Sequence, residues 1–291
     1  MPTQLDIKRR IRSVRNTQQI TRAMKFVAAA RLRRAQEKAF AVRPYARALS
    51  RMVQSAAMRV RETAHPLLAR RPEKNVLLVA VSGERGLCGA FNSNVIRRST
   101  EFLREHSAAS PQVVPLGRKV RDAMRKQRWK IVDEYVDITS RADLARAAEI
   151  GKRITKLYES GQIDAVYVIF NEFKSVLAQN LKVEKLLPIE PARNEAGGPP
   201  AGSETPAGYL YEQPAAELFQ FLLPRYVQVQ VYRALSESAA AEHAARMTAM
   251  DSATNNAGEL IDQLTLYMNK VRQAAITKEI IEVVSGAASA V

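Results

Sequence analysis

Apolar and small residues recur every three or four positions through the first sixty residues of the chain. The fifteen steps of this series cover 53 residues, about 3.5 residues a step. Its members are Ile7, Ile11, Val14, Gln18, Thr21, Met24, Ala28, Leu32, Ala35, Ala39, Val42, Ala46, Leu49, Val53, Ala56 and Val60. Such a period is typical of a left-handed supercoil rather than of a lone helix. The pattern predicts a long helix over residues 6–62, with a kink or bend at Pro44, that needs a partner helix.

A second apolar seam near the C-terminus supplies that partner. Its positions alternate steps of four and three residues: Ala253, Ala257, Leu260, Leu264, Tyr267, Val271 and Ala274. This alternation is a heptad repeat, and no proline follows Pro224. We therefore predict one helix over residues 225–285 that pairs with the N-terminal helix in a coiled coil. Both seams are rich in alanine, which buries little apolar surface, so we expect the pair to depend on surrounding protein.

Between the seams the pattern changes to short apolar runs that alternate with helical stretches. The runs at residues 76–81, 113–116 and 165–170 indicate buried strands, and residues 91–105 and 141–158 have helical character. Strands and helices in alternation predict an α/β fold with a mainly parallel sheet, a Rossmann-like domain inserted between the two long helices. A further extended run at residues 176–187 is predicted to pair with the preceding strand as a hairpin.

These patterns divide the chain into three parts. Residues 1–64 form the N-terminal coiled-coil helix, residues 65–213 the α/β domain with a linker at its start, and residues 214–291 the C-terminal coiled-coil helix. Within the domain, residues 191–208 contain eight Pro or Gly in 18 positions, which predicts a mobile surface loop without regular structure.

The positive charge of the chain is concentrated on its N-terminal segment. The first 74 residues carry 19 Lys and Arg against four acids, whereas the other 217 carry 26 against 25. A mitochondrial transit peptide is also Arg-rich, but it would be Ser-rich and has no need of a seam across fifty residues. A basic helix is typical of nucleic-acid binding as well, although this one has few aromatic residues for stacking and commits one face to another helix. An acidic protein surface is the alternative destination for the charge.

The sequence offers few residues for chemistry. The glycine-rich run SGERGLCGAFN at residues 82–92 follows a strand and opens a helix, but its spacing matches neither the dinucleotide nor the P-loop fingerprint. We interpret its glycines as serving a tight turn and close packing, and Cys88 as a buried small residue rather than a nucleophile. A single cysteine and three scattered histidines make a metal site unexpected, and the apolar runs are too short to cross a bilayer. We predict no catalytic residue, no metal and no cofactor; a nucleotide-dependent enzyme built on the middle domain is kept as a rival hypothesis.

Four long segments of the chain are distinctive: IKRRIRSVRNTQQITRAMKFVAAARLRRAQ at 7–36, SGERGLCGAFN at 82–92, AARMTAMDSATNNAGELI at 244–261 and NKVRQAAITKEIIEVVSGAASA at 269–290. Together, and in this order, they resemble the gamma subunit of F-type ATP synthases. The resemblance implies a central-stalk rotor. Its two terminal helices are expected to form a long antiparallel coiled coil that enters the ring of alpha and beta subunits, while its α/β domain forms a foot against the epsilon subunit and the c ring. Such a subunit couples rotation of the c ring to conformational cycling of the catalytic beta subunits and is not itself catalytic.

The resemblance also implies which residues meet these partners. Those expected to face loops of the beta subunits are Met24, Lys25, Arg246, Gln273 and Thr277. Those expected in the foot near the c ring and epsilon are Tyr209 and Glu212. No transit extension precedes the first motif, so the resemblance implies a bacterial subunit, peripheral to the inner membrane at its cytoplasmic face. A mature mitochondrial chain would look similar, and the transported ion stays open.

Overall fold

The chain is described by a computed structural model that covers residues 3–57, 65–138, 143–189 and 215–288. It divides into two compact units. The first unit comprises Met1–Ala29 and Arg246–Val291, and the second comprises Ala30–Ala245.

The first unit pairs the start of helix α1 (Gln4–Ala57) with the end of helix α5 (Ala215–Ala288). Lys25 contacts Asp251, and the earlier residue Thr21 contacts the later residue Thr254. The two helical segments therefore run antiparallel, as the family resemblance implied.

Helix α1 begins with a capping box. The hydroxyl of Thr3 accepts a hydrogen bond from the N–H of Asp6 at 3.3 Å, and the carboxylate of Asp6 accepts one from the N–H of Thr3 at 3.1 Å. The Thr3 hydroxyl also donates to this carboxylate, and these bonds lower the pKa of Asp6. The box supplies partners for backbone donors that the first turn of a helix otherwise leaves unsatisfied.

The N-terminal seam is confirmed by burial along α1. All of its predicted members up to Ala56 are buried or half-buried, and Val60 lies outside the described residues. In the C-terminal seam, the members up to Leu264 and also Val271 are buried or half-buried, whereas Tyr267 and Ala274 are exposed. The helix α1 continues through Pro44 without interruption.

The second unit contains a five-stranded sheet with the order β3-β2-β1-β4-β5. Its strands are β1 (Val76–Val81), β2 (Gln112–Leu116), β3 (Lys130–Ile131), β4 (Ala165–Phe173) and β5 (Gln179–Leu187). Strands β1 to β4 are parallel where they pair, and β5 runs antiparallel to β4. The mainly parallel sheet and its terminal hairpin are both as predicted.

Successive residues of β1 point to opposite faces of this sheet, and both faces are covered. Leu77, Val79 and Val81 belong to one apolar cluster, which includes residues of α1, α5 and α4 (Leu144–Glu159). The alternate residues Val76, Leu78 and Ala80 belong to a second cluster with α2 (Phe91–Glu105) and α3 (Arg118–Lys126). Burial on both faces explains why β1 is apolar at every position.

The structure differs from the predicted elements in three places. Helix α5 begins at Ala215 and passes through Pro224, ten residues before the predicted start. Helix α3 and strand β3 were not predicted, and the expected linker at residues 65–74 contains a short 3-10 helix at Pro66–Leu68. The predicted loop at 191–208 and the predicted contact residues Tyr209 and Glu212 lie outside the described residues.

Among the described residues, none of the helices combines the length and the apolar character that a bilayer span requires.

Candidate functional site

Lys25 is the predicted contact residue that the structure defines most closely. Its Nζ lies 2.6 Å from Oδ1 of Asp251, so it forms an ion pair between α1 and α5 within the first unit. The two side chains remain 36% and 47% exposed. The neighbouring Met24 is half-buried, as expected of a seam position. Lys25 thus has a structural partner within the chain, and part of its side chain remains exposed.

Polar residues hold the two helices in register beside this ion pair. The hydroxyls of Thr21 and Thr254 lie 2.8 Å apart, and Nε2 of Gln18 donates to the backbone oxygen of Thr254 at 3.4 Å. A side chain at Gly258 would place its Cβ 3.2 Å from the Gln18 amide, which is close contact. Polar pairs inside an apolar seam favour one register over its slipped alternatives, because a slip would leave them without partners.

A cavity of about 560 Å³ opens beside these contacts. It is lined by Arg15, Gln18, Gln19, Arg22, Lys25, Phe26, Asp251, Thr254 and Asn255. Three of the lining residues are cations and one is an acid. The surface next to the ion pair therefore carries a positive charge that suits an acidic partner.

The rest of α1 in the first unit extends this charge. Its further basic residues are all exposed: Lys8, Arg9, Arg10, Arg12, Arg15 and Arg22. The one acid among residues 3–29 is Asp6, which is engaged with Thr3. The charged side chains on this part of α1 are therefore positive apart from Asp6.

The predicted contacts on α5 occupy different positions along the helix. Arg246 is half-buried, whereas Gln273 and Thr277 are exposed. The Thr277 hydroxyl donates to the backbone oxygen of Gln273 at 2.9 Å, so these two residues share one face, one turn apart. At 1.5 Å a residue, Gln273 lies about 33 Å along the helix from Asp251, so the predicted residues do not gather in one pocket.

Burial shows where the helix pairing ends. Every residue from Arg272 to Ser285 is exposed, including Ile276, Ile280 and Ile281. The pairing of residue 25 with 251 and of 21 with 254 brings the first turn of α1 level with residues near 271. The following turns of α5 therefore extend past the described start of α1.

Sequence reasoning missed Asp251 as the partner of Lys25. Asp251 stands two positions before the seam residue Ala253, so it is not directly beside the predicted heptad seam. The positions directly beside a seam are the ones that often hold ion pairs between helices, and Lys25, next to Met24, is such a position. The heptad pattern therefore gave a signal for Lys25 but none for Asp251, and the register of the two helices was unknown.

A second ion pair, largely buried and also missed, connects three elements of the second unit. Nε and Nη2 of Arg43 in α1 donate to the two carboxylate oxygens of Glu237 in α5, at 2.6 and 2.8 Å. Arg43 also donates to the backbone oxygen of Phe173 at the end of β4, and the N–H of Phe173 donates to Glu237 at 3.0 Å. Glu237 is almost fully buried, and its hydrogen bonds raise the pKa of Arg43, which keeps the guanidinium charged.

The glycine-rich loop at residues 82–92 uses its polar groups within the second unit. The first three N–H groups of α3 donate to the Glu84 carboxylate, the Gly83 backbone oxygen and the Ser82 hydroxyl, at 3.1, 3.2 and 2.9 Å. Gly83 packs so closely on Glu242 that a Cβ would lie 2.8 Å from its carboxyl carbon. These contacts confirm the interpretation of the loop as a packing element for the sheet and its helices.

The other residues considered as candidates for catalysis or metal binding are Cys88 and the His, Asp and Glu side chains. Cys88 is buried, as predicted, and its sulfur accepts a hydrogen bond from Nδ2 of Asn92. Across the four described ranges, no three His, Cys, Asp or Glu residues come together in a way that could hold a metal ion.

Comparison with known proteins agrees with the resemblance seen in the sequence. The family model described as ATP synthase matches residues 3–290. The chain is 50% identical to the ATP synthase gamma chain of Solibacter usitatus, and the match covers all of both chains. It is 44% identical to the ATP synthase gamma chain of Pelotomaculum thermopropionicum over 99% of each.

Solved structures show the same fold at lower identity. A chain of the Euglena gracilis mitochondrial ATP synthase, in a structure of OSCP, F1 and the c-ring, superposes with a TM-score of 0.66 at 20% identity, covering 97% of this chain and 93% of that one. A chain of the Tetrahymena thermophila mitochondrial ATP synthase, in a structure of the central stalk and c-ring, superposes with a TM-score of 0.63 at 23% identity. The superposition covers 80% of this chain and 99% of that one. With full-length relatives at 44–50% identity, the chain belongs to the ATP synthase gamma chain family.

Proposed function

We propose that the chain is the central-stalk rotor subunit of an ATP synthase. In this role it couples rotation of a c ring to conformational cycling of catalytic beta subunits, during synthesis or hydrolysis of ATP. Its partners are the alpha and beta subunits, the epsilon subunit and the c ring. The solved structures that share its fold come from assemblies described as central stalk, F1 and c-ring, which supports this choice.

The observation that carries the proposal is the antiparallel helix pair of the first unit. A single helix twists easily, whereas two helices held in one register resist twisting and can transmit torque. The Thr21–Thr254 contact and the Lys25–Asp251 ion pair provide that register. A rotor shaft needs such a pair, and an enzyme active site does not.

The positive outer surface of α1 supports a contact with acidic loops of the beta subunits. We assign Met24 and Lys25 to one such contact, and Arg246, Gln273 and Thr277 to others. The exposure of Gln273 and Thr277, beyond the paired part of α5, leaves both accessible to a surrounding ring. Tyr209 and Glu212 are assigned to contacts of the foot near the c ring and epsilon.

The chain acts without a catalytic residue of its own in this proposal, since its glycine-rich loop is engaged in packing. Its attachment to the membrane is peripheral and runs through the complex. As the two gamma chains that are 44–50% identical to it come from bacteria, we place it at the cytoplasmic face of the inner membrane.

The proposal is tested by assembly. The full chain is co-expressed with the alpha and beta subunits of its own organism and purified through a tag on beta. We expect it to co-elute with the ring, and a bead attached to the chain to rotate when ATP is added. A chain that ignored alpha and beta and instead bound duplex DNA, with affinity falling steeply as salt rises, would refute the rotor assignment.

A charge exchange separates the two roles of Lys25, which are pairing with Asp251 and meeting an acidic partner loop. Lys25→Asp removes the ion pair, which as a half-exposed pair contributes about 0.2–1 kcal/mol, and the double variant Lys25→Asp with Asp251→Lys restores it. We expect the double variant to recover the melting temperature of the chain but not the coupled ATP synthesis of the complex. Full recovery of both would mean that Lys25 acts only through Asp251.

A further inference from the structure

A cavity in the second unit lies apart from every contact assigned above. It has a volume of about 470 Å³ and is lined by Ala46, Arg47, Ser50, Arg51 and Arg233. The first four residues lie on one face of α1, since they are spaced by one, three or four positions, and Arg233 comes from α5. Three of the five lining side chains are therefore guanidinium groups.

Arg233 is held rigidly in this cavity. Its Nη2 is paired with the carboxylate of Glu184 in β5, and its guanidinium stacks over the Phe170 ring at 5.4 Å. The side chain is only 23% exposed, and its Nε is buried without a hydrogen-bond partner. Arg233 therefore lines the cavity with the part of its side chain that remains exposed.

Arg47 and Arg51 add charge that the chain does not neutralise. Both are exposed, and neither has an ion pair with any residue in the described ranges. The carboxylate of Glu184 is shared between Arg233 and Lys182, which also pairs with Glu172. The four cations around the cavity thus face two carboxylates, which leaves a surplus of two positive charges.

The wall of the cavity is also ordered on its α1 side. The hydroxyl of Ser50 is hydrogen-bonded to the phenol of Tyr226, a residue of α5 that is buried in the main apolar cluster. The backbone that carries Arg47 and Arg51 is therefore fixed relative to Arg233. A site assembled in advance loses less conformational entropy when a ligand binds.

We propose that this cavity is a binding site for a phosphate-bearing anion. Guanidinium groups bind phosphate oxygens through two parallel hydrogen bonds, and three arginines line this cavity, two of which have no ion pair with any described residue. The volume exceeds that of a single phosphate and suits a diphosphate or the phosphorylated head of a larger molecule. The site is independent of the rotor assignment, because it rests on residues of the second unit only.

The test measures pyrophosphate binding to the purified full chain by isothermal titration calorimetry at low ionic strength. We expect Arg47→Gln and Arg51→Gln each to weaken binding by at least about tenfold, the effect of losing one charge-assisted contact. Arg31→Gln is the matched control: it removes an exposed arginine of the same helix that likewise lacks an ion pair in the described structure. We expect it to bind as the unaltered chain does.

Further arms distinguish the source of the phosphate and guard against misfolding. The first arm sediments the chain with phosphatidylglycerol vesicles. Sedimentation that is lost in Arg51→Gln and that pyrophosphate competes away would assign the site to a lipid headgroup. Pyrophosphate binding without vesicle binding would assign it to a soluble ligand. Equal weakening by Arg31→Gln, or binding of poly-glutamate but not of pyrophosphate, would overturn the proposal. Thermal unfolding of each variant confirms that it is folded, which is expected because both arginines are exposed.

Discussion

The backbone conformation at position 117 requires a glycine. Its φ of 109° lies in the region that side chains avoid, and a Cβ there would come within 2.2 Å of the Ser82 backbone oxygen. The close approach lets the loop after β1 cap helix α3. A single hydrogen atom in place of a side chain thus makes the junction of strand and helix possible.

We predict that Gly117→Ala destabilises the chain by about 3 kcal/mol or more, because it combines backbone strain with a clash against backbone. The measurement is the free energy of unfolding from a urea titration. Gly86→Ala is the control, since a Cβ at Gly86 meets nothing within 4 Å. Similar losses in both variants would show that the conformation of Gly117 is not what matters.

The stability of the second unit depends on pH through His65. Its Nδ1 accepts a hydrogen bond from the N–H of Leu67 at 3.1 Å, which caps the 3-10 helix, and the side chain is 8% exposed. Burial lowers the pKa of His65 below its ordinary value of 6.5, and the charge of Glu159 offsets part of this effect. Only the neutral ring can accept the capping hydrogen bond.

Because the folded pKa is lowered, the unfolded chain binds the proton more readily. The contribution of His65 to stability is therefore complete above about pH 6.5 and is lost as the pH falls through the folded pKa. We predict that the melting temperature of His65→Asn, which keeps a capping oxygen, falls less than that of the unaltered chain when the pH is lowered from about 7.5 to about 5. An unchanged pH profile would assign that loss to other groups.

At the scale of elements, the buried pair of Arg43 and Glu237 ties α1, α5 and β4 together. Its geometry is bidentate, and the backbone of Phe173 supplies both a donor and an acceptor to it. A buried ion pair of this kind stabilises a protein little more than apolar residues of the same volume would. Loss of one partner is nevertheless strongly destabilising, because it leaves the other charge buried without a partner. It therefore specifies how the three elements meet.

We predict that Glu237→Gln destabilises the chain by about 3–5 kcal/mol, measured by chemical denaturation. The control is Glu37→Gln, which removes an exposed pair with Arg33 at 3.4 Å and should change stability by less than about 0.5 kcal/mol. Equal effects would contradict the assigned role of burial.

The elements that sequence reasoning found and missed differ in length and apolar content. Strand β1 and helix α2 were predicted to the residue, because each has enough apolar positions to define its period. Helix α3 has six charged residues in nine and only two buried ones, Val120 and Met124, and β3 has two residues in all. No period can be read from so few positions. Helix α5 continues through Pro224 because its packing compensates for the missing backbone donor.

For the whole molecule, the described structure places the C-terminal turns of α5 beyond the paired part of the first unit. Residues 272–285 are exposed throughout, so they add few contacts within the chain. Their apolar residues Ile280, Val283 and Val284 are consistent with a site of contact to another protein.

We predict that deleting residues 272–291 leaves the melting temperature of the isolated chain within about 4 °C of its original value, the shift expected from roughly 1 kcal/mol or less. The same deletion should lower coupled ATP synthesis by the assembled complex, since it removes Gln273 and Thr277. Replacing only these two residues by Ala tests whether the side chains or the length of the helix matter. A large fall in melting temperature would show instead that this segment supports the fold.

The sequence by itself determined the two seams, their supercoil period, the alternation of strands and helices and the position of the charge, because each is written in spacings of a few residues. Only the tertiary structure decided that Lys25 meets Asp251, that Glu237 holds Arg43, and that Arg47 and Arg233 line one cavity. These pairs are separated by nearly two hundred residues or more. Whether these residues meet depends on the register of the two long helices and on which groups become buried. Both are decided only when the chain folds.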